Sequence, residues 1–330
     1  MALTINTNLS SMIVQSNLAK STSQLNQAIE RMTTGYKINH ASDNAAGYSI
    51  ARNWEAQLGS LDVAASNAAT GADMLSTLED HYALVSSHVQ RVRDLTEQAA
   101  NGTYGTQSLK AIKSEIGARL QEIDRIAANC EFSGRYMMDG SLKKGLGIQV
   151  GIDGDKDKSQ IALAGDLFKR GDVKALFTND DADTVTEAAK ASAREDIAEK
   201  CAGLKTGTTA SSMLETIDDV INTISSRITT LGAARNRIDS AVESIGVQTE
   251  NITSSLSTLR DADVATESSN YIKAQILQQA SATLLATANQ TPSIALNLLE
   301  YHLSDLHSHW QLFQQLQLQY RLVNKHYLLL

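Results

Sequence analysis

The chain has 330 residues, a formal net charge of −8 and a single proline. The negative charge, with no basic stripe between aromatic residues, argues against nucleic-acid binding. Because proline interrupts helices, its near absence favours long helices. The scarcity of aromatic residues, with four Phe and two Trp, favours thin helix–helix seams over one thick core.

The sequence shows no targeting or spanning segment of a familiar kind. No run of eighteen apolar residues occurs, so we expect no membrane partner. The first twelve residues lack the basic and apolar regions of a signal peptide. Cys130 and Cys201 are too few for a disulfide framework, and they are either two buried thiols or one bridge.

The N-terminal segment, residues 1–43, carries no side-chain charge before Lys20 and repeats its apolar residues at helical spacing. Such a helix is marginal alone and would expose an apolar stripe, so we expect it to assemble with a partner segment. The candidate self-assembly residues in this segment are Leu9, Ile13, Leu18, Leu25 and Ile29.

Residues 44–165 are predicted to hold two core helices and a β-hairpin. The first helix runs from about 44 to 99, with Ser42 or Asp43 as its N-cap, and a Gly-containing break at 100–105 ends it. The second runs from about 106 to 128. The runs at 145–152 and 159–163 flank an Asp/Gly/Lys turn and read as the hairpin. Each of the two helices carries an apolar stripe. The stripe of the first helix consists of Ile50, Trp54, Leu58, Leu61, Leu75, Leu78, Tyr82, Val85, Val89 and Val92, and that of the second of Leu109, Ile112, Ile116, Leu120, Ile123 and Ile126.

Residues 166–212 mix charge, Gly and Thr with weak periodicity, and form either a short insert or a partly ordered excursion.

Residues 213–262 are different, because apolar residues recur there every seven positions, which is typical of a coiled coil. The first seam consists of Ile217, Ile224, Leu231, Ile238, Ile245, Ile252 and Leu259, and the second of Ile221, Ile228, Val242 and Leu256.

The segment 263–299 carries no charge after Lys273 and is too polar for lipid and too apolar for water. We expect it to pair with the N-terminal segment and with copies of itself, through Ile276, Leu277, Leu284 and Leu285. The sequence therefore predicts a mainly α fold. Long antiparallel helices would form a coiled-coil-like bundle with a β-hairpin, and the terminal helices would pair into a coiled coil.

Six stretches, taken in order, resemble bacterial flagellin. They are MALTINTNLSSM (1–12), TTGYKINHASDNAAGYSIA (33–51), QRVRDLTEQAANG (90–102), EIDRIAANCEFSGRYMMDG (122–140), DADVATESSNYIKAQILQQA (261–280) and ATANQTPSIALNLL (286–299). The resemblance covers roughly 1–165 and 210–299. It implies a secreted, extracellular structural subunit that self-assembles into the flagellar filament for motility. The implied partners are other flagellin subunits, the flagellar export apparatus, a secretion chaperone and the filament cap.

In that family the paired termini form the inner tube and the middle forms the outer surface, so the short middle of this chain implies little outer domain. Two alternatives stay open within the resemblance. One is a hook–filament junction protein, which shares the terminal motifs. The other is a flagellin-like protein that does not polymerise and serves in receptor binding or adhesion.

The resemblance also implies recognition by the innate Toll-like flagellin receptor through Gln90, Arg91, Leu95 and Glu115. Arg91 and Leu95 lie four residues apart on one helix, which would present a guanidinium beside an apolar contact. The competing interpretation is that Leu95 extends the core stripe and that Arg91 is a solvated side chain.

No catalytic or cofactor site is predicted, and the chain is not expected to be an enzyme. Asp153, Asp155 and Asp157 alternate like a calcium loop, but Lys158 and Ala164 stand where a glycine and a carboxylate are required. The His-Glu-x-x-His motif of protease-bearing flagellins is absent.

The flagellin resemblance stops at Leu299, and the sequence continues as an atypical extension, residues 300–330. A helical apolar rhythm persists there. A metal site formed by Asp305, His307 and His309 is a weak candidate, because His-x-His on a helix directs two rings to different faces. Since the C-terminal helix would line the inner tube, we expect the extension to impair assembly, and truncation after Leu299 to improve it.

Overall fold

The computed structural model describes residues 8–178, 186–204 and 209–327. The chain divides into one unit that contains both chain ends, residues 1–51 and 256–330, and a second unit that spans residues 52–255. Helices dominate both, as predicted, and the strands form two small antiparallel pairs. The elements in order are α1 (Leu9–Thr34), α2 (Ala45–Ala100), α3 (Thr106–Ala128), β1 (Glu131–Phe132), β2 (Arg135–Tyr136), β3 (Leu146–Gln149), α4 (Lys156–Ser159), β4 (Gln160–Leu163), a 3₁₀ turn (Gly165–Phe168), α5 (Val173–Thr178), α6 (Glu187–Cys201), α7 (Ala210–Arg260) and α8 (Val264–Tyr327).

The first unit is built on the terminal helices α1 and α8. The Asn8 side chain caps α1 by accepting the Ser11 N–H at 3.0 Å. Gly35 ends the helix with a φ of 76°, a left-handed conformation that glycine adopts without strain. At the other end of the chain, Asp263 accepts the Ala265 N–H at 2.9 Å and so caps the start of α8.

The two linkers that join α1 to α2 and α7 to α8 are held together by backbone pairing. Tyr36 and Asp261 form an isolated antiparallel bridge. The Lys37 N–H donates to the Arg260 carbonyl at 2.7 Å, and the Arg260 guanidinium lies 4.1 Å from the centre of the Tyr36 ring. The two linkers are therefore paired with each other within this unit.

The second unit has a core formed by α2, α3 and α7. Polar contacts show that α2 and α7 run antiparallel: Arg93 Nε donates to Asp218 at 2.6 Å, and Arg227 Nη1 donates to the Tyr82 hydroxyl at 3.2 Å. The predicted stripes supply the core. Its fully buried members include Leu75, Leu78, Tyr82, Val85, Val89, Val92, Ile116, Leu120, Ile123, Ile217, Ile224, Leu231 and Ile238.

The predicted hairpin is present, with Leu146 paired to Leu163 and Gln149 paired to Gln160. It packs closely on α2, because a Cβ built at Gly71 would lie 2.3 Å from Ile148 Cδ1. Between the strands, Asp155 caps the short helix α4 by accepting the Asp157 N–H at 3.1 Å. This turn is therefore closed by local capping.

The described residues of the 166–212 region pack into the same core. Phe168, Val173 and Cys201 are fully buried there, together with most of Ile197. The sequence left open whether this region is an insert or a partly ordered excursion. The described part is an ordered insert, whereas 179–185 and 205–208 lie outside the described residues.

Three details differ from the sequence-based expectations. Asn44, and neither Ser42 nor Asp43, caps α2 by accepting the Gly47 N–H at 2.9 Å. Asp43 instead accepts the N–H groups of the preceding turn, and these bonds, the one from His40 first, lower the pKa of its carboxyl. Ile50 and Val242 were expected in the apolar seams but are 43% and 39% exposed.

Candidate assembly and recognition surfaces

Small residues form the seam between α1 and α8. Ser21 and Ala28 on α1, and Ala274 and Ser281 on α8, are buried and are spaced by seven residues on each helix. Small side chains let two helices approach closely, and the spacing keeps the seam on one face of each helix. The sequence-based search missed these residues because it looked for large apolar side chains. Their repeated heptad spacing is the signal that would have found them.

Polar contacts fix the register of the same helix pair. Asn8 Nδ2 donates to the Ala288 carbonyl at 2.7 Å, and Gln278 Nε2 donates to Thr22 Oγ1 at 3.2 Å. At the other end of the seam, Arg31 Nη1 lies 3.1 Å from Glu267 Oε1, and that carboxylate side chain is only 9% exposed. Residue numbers that increase along α1 meet residue numbers that decrease along α8, so the two helices run antiparallel. The predicted pairing of the terminal helices is confirmed.

The large apolar residues of the terminal helices lie mostly outside this seam. We expected the two ends to bury their apolar residues against each other and against copies of themselves, and within one chain most of these residues stay exposed. Of the predicted self-assembly residues, Leu18, Leu25 and Leu285 are half-buried. The others are exposed: Leu9 68%, Ile13 54%, Ile29 44%, Ile276 59%, Leu277 41% and Leu284 58%. The pair thus presents an apolar surface that it cannot itself cover, because the small seam residues already fill the contact.

The predicted receptor-binding residues lie on α2 and α3. Arg91 donates from Nε and Nη2 to Glu115 Oε1, at 3.2 and 3.0 Å. Both side chains are nearly half exposed, and Gln90 beside them is exposed. Arg119 lies 3.9 Å from the same carboxylate. The helices therefore bring Arg91 and Glu115 together as an open polar surface, on which Glu115 orients the Arg91 guanidinium, and the exposed Gln90 is next to Arg91 in sequence.

Leu95 does not join this surface. It is 2% exposed and belongs to the core cluster of the second unit, so it cannot offer an apolar contact beside Arg91. The expected side-by-side presentation of these two residues is wrong, because Leu95 continues the buried stripe that starts at Leu75. Its contribution to the surface is to hold the helix against the core.

Buried polar groups anchor the insert to α3. Asp124 accepts the Val173 N–H at 2.8 Å and a further bond from Arg194. Burial raises the pKa of the Asp124 carboxyl, and these two donors oppose that shift. Nearby, Arg170 Nε donates to Asp172 at 2.7 Å with both side chains buried. These contacts fix the insert against α3.

Both cysteines are free and buried, which settles the two alternatives for them. Burial raises the pKa of the Cys130 thiol to about 12 and that of the Cys201 thiol to about 11. Both thiols are therefore protonated at neutral pH and are poor nucleophiles in the folded chain.

In the extension, α8 continues without a break to Tyr327. The described apolar side chains there are exposed, including Trp310 at 61% and Phe313 at 60%. Asp305, His307 and His309 are also exposed. Across the described ranges, no group of three or more His, Cys, Asp or Glu side chains is placed to hold a metal ion. None of the helices within those ranges combines the length and apolar character needed to cross a membrane.

The comparisons with known proteins agree with this architecture. The N-terminal helical region of bacterial flagellin matches residues 5–143, and the C-terminal helical region matches residues 214–299. The chain is 36% identical to a flagellin of Xenorhabdus nematophila and 38% identical to one of Serratia marcescens. Each alignment covers 91% of this chain and 100% of the relative.

A solved structure described as a flagellar hook-associated protein of Vibrio parahaemolyticus aligns with a TM-score of 0.53 and 14% identity. That alignment covers 66% of this chain and 100% of that one, and it supports the fold alone. The family match is carried by sequence, and it ends where the extension begins. Because the two family regions span most of the sequence and full-length relatives exceed 30% identity, the chain belongs to the bacterial flagellin family.

Proposed function

We propose that this flagellin builds its filament through the apolar surface of the α1–α8 pair. As a flagellin, the chain is a structural subunit of the extracellular bacterial flagellar filament, which is made of flagellin copies. The observation that carries the finer assignment is the exposure of Leu9, Ile13, Ile276 and Leu284 around a seam of small residues.

Burial of these side chains between subunits provides the driving force for assembly. Burying one Leu or Ile side chain completely stabilises by about 1.5–3 kcal/mol. Each subunit offers several such side chains. Because α8 carries no charged side chain between Lys273 and Asn289, neighbouring copies would not repel each other there. The termini would be partly stabilised in the monomer and fully stabilised in the polymer.

A polymerisation assay tests this proposal with a matched pair of variants. Ile276→Gln should abolish filaments seen by electron microscopy and sedimentation, whereas Ile276→Leu should retain them, because it keeps an apolar side chain of equal size. The assay is run on the full chain and on the chain ending at Leu299. Equal polymerisation of the Gln and Leu variants would overturn the proposal.

The extension bears on the same assay. We propose that residues 300–330 hinder assembly, because they prolong the helix that would line the inner tube. The chain ending at Leu299 should form more filament mass at a given concentration than the full chain. Equal amounts from both chains would remove this part of the proposal.

We also propose the partners that serve flagellins before assembly, namely the export apparatus, a secretion chaperone and the filament cap. Family membership supports them. In a flagellated bacterium, the chain should be secreted when the export apparatus is intact and retained in cells when that apparatus is deleted. Secretion that persists without the apparatus would contradict the assignment.

The exposed group Gln90, Arg91 and Glu115 supports recognition of the monomer by the Toll-like flagellin receptor. Glu115 holds the Arg91 guanidinium in place, which lowers the entropy lost when a partner binds it. Arg91→Ala should reduce signalling at least about tenfold in a receptor reporter assay. Arg119→Ala, which removes a neighbouring guanidinium, is the matched control. Unchanged signalling by Arg91→Ala would refute the assignment.

A further inference from the structure

The helix α8 continues far beyond the end of its pairing with α1. Asn8, the residue before α1, contacts Ala288, whereas α8 extends to Tyr327. The helix α1 therefore cannot cover residues 300–318. This part of α8, which we call the tail helix, nevertheless carries eight large apolar or aromatic residues among its 19 positions.

The heptad register of the seam carries on into the tail helix. Ala274 and Ser281 are buried against α1, and repeating the same step of seven residues from Ser281 reaches Leu316. The same step from the half-buried Leu285 reaches Leu306 and Phe313. The heptad positions of the seam thus continue into the tail helix, where they carry the large apolar Leu306, Phe313 and Leu316 together with the polar His302 and His309.

The apolar side chains of the tail helix are more than half exposed. They are Tyr301 75%, Leu303 57%, Leu306 62%, Trp310 61%, Leu312 56%, Phe313 60%, Leu316 63% and Leu318 60%. Five of them, Leu303, Leu306, Trp310, Phe313 and Leu316, lie along one side of the helix and form an exposed apolar stripe on the order of a few hundred Å², comparable to the largest patch on a typical monomer.

The charges of the extension are complementary to themselves in one orientation. Glu300 and Asp305 lie near its start, Arg321 and Lys325 lie near its end, and no other Asp, Glu, Lys or Arg occurs in residues 300–330. An antiparallel alignment of two copies centred on Phe313 places position 305 opposite position 321. It also brings position 300 close to position 325. A parallel alignment would instead place like charges together.

We propose that the tail helix binds the tail helix of a second copy of this chain, antiparallel and centred on Phe313. The centre of the contact is formed by Leu306, Phe313 and Leu316. Because heptad positions rotate slowly around a straight helix, the contact also includes Leu303 and Trp310. This association does not depend on the filament surface of the α1–α8 pair, so the two can be tested separately.

Sedimentation of the full chain tests the contact after filaments have been removed by ultracentrifugation. The parent should dimerise in the micromolar range, and the chain ending at Leu299 should stay monomeric. Leu306→Gln should raise the dissociation constant about tenfold or more, because it places an amide at the centre of an apolar contact. Leu318→Gln, an equally exposed residue on the opposite face of the helix, is the matched control and should leave dimerisation unchanged.

A charge exchange tests the orientation. Asp305→Arg and Arg321→Asp should each weaken dimerisation, and the double variant should restore it, because only the antiparallel alignment brings these positions together. In a Trp54→Phe background, Trp310 is the single tryptophan, and its emission should shift to the blue as the concentration rises. That shift should disappear with Leu306→Gln.

Three results would overturn the proposal. The first is a full chain that remains monomeric up to about 100 μM, since a contact weaker than that supplies less than about 5.5 kcal/mol. The second is an equal effect of Leu306→Gln and Leu318→Gln, which would indicate unspecific aggregation. The third is binding of the tail to phosphatidylcholine vesicles with no self-association. Loss of polymerisation in the Ile276→Gln variant with dimerisation intact would leave both proposals standing.

Discussion

In the second unit, Ile217, Ile224 and Ile238 occupy heptad positions on α7 and are fully buried, whereas the heptad positions of the terminal pair carry Ala28, Ala274 and other small residues. The same spacing therefore yields two kinds of helix packing. Large seam residues bury their own apolar surface and make a core that is complete in one chain. Small seam residues bring two helices together while the large residues remain outside, where another copy can contact them.

The largest difference between the two regions should be in the rate at which they open. Cys130 and Cys201 are buried, and their thiol pKa values of about 12 and 11 keep them protonated at pH 8. A thiol reagent should label the native chain ~1000-fold more slowly than the chain unfolded in urea. Limited proteolysis should meanwhile remove both ends and leave a fragment of about residues 45–262. If the thiols of the native chain were labelled as fast as the ends are removed by proteolysis, this difference between the two regions would be contradicted.

Truncation of one isoleucine in each region should separate stability from assembly. Ile224→Ala should lower the free energy of unfolding of the monomer by about 2–5 kcal/mol, because it leaves a cavity at a fully buried site. Ile276→Ala, at a site that is 59% exposed, should change it by less than about 0.5 kcal/mol while weakening polymerisation. Urea unfolding of the monomers measures both values. Similar losses of unfolding free energy for the two variants would show that the α1–α8 pair is packed like the core of the second unit.

Enlarging the seam tests whether its small residues matter. Ala274→Leu should destabilise the α1–α8 pair by about 1–3 kcal/mol, because the helices lie too close for a larger side chain. Ala280→Leu, on the exposed side of the same helix, should have little effect. The helical signal in circular dichroism, followed on heating, reports the loss. An Ala274→Leu chain as stable as the parent would mean that the seam is loosely packed.

The smallest effect on stability is expected at the recognition surface. Arg91→Ala should change the free energy of unfolding by less than about 0.5 kcal/mol, because its ion pair with Glu115 is largely solvated. The same urea experiment provides this control for the receptor assay. A loss above about 1 kcal/mol would mean that reduced signalling reports damage to the second unit.

The fold of the second unit was largely predictable because large apolar residues at regular spacing mark a buried stripe. The heptads of α7 and the stripe from Leu75 to Val92 show this most directly. The insert was not predictable, since its short helices have weak periodicity and rely on contacts such as that of Asp124 with Val173, far apart in sequence.

At the terminal surface, hydropathy marked Ile276 and Leu284 as important but not as residues that stay outside the seam. Hydropathy patterns give little weight to Ala and Ser, so the residues that determine the helix contact escaped notice. The burial of Leu95 agrees with the competing interpretation, in which this residue extends the core stripe. Its spacing from Arg91 suited a shared surface, and only the packing of α2 shows that Leu95 points into the core.

The narrow seam between α1 and α8 also bears on how flagellin genes can diverge. Ser21, Ala28, Ala274 and Ser281 tolerate few replacements, because any larger side chain separates the two helices. On the proposed assembly surface, the residues around them would be under a different constraint, since they would have to match a neighbouring copy and could change when that neighbour changes. Two gene copies in one bacterium could therefore retain the same seam while the apolar residues around it diverge.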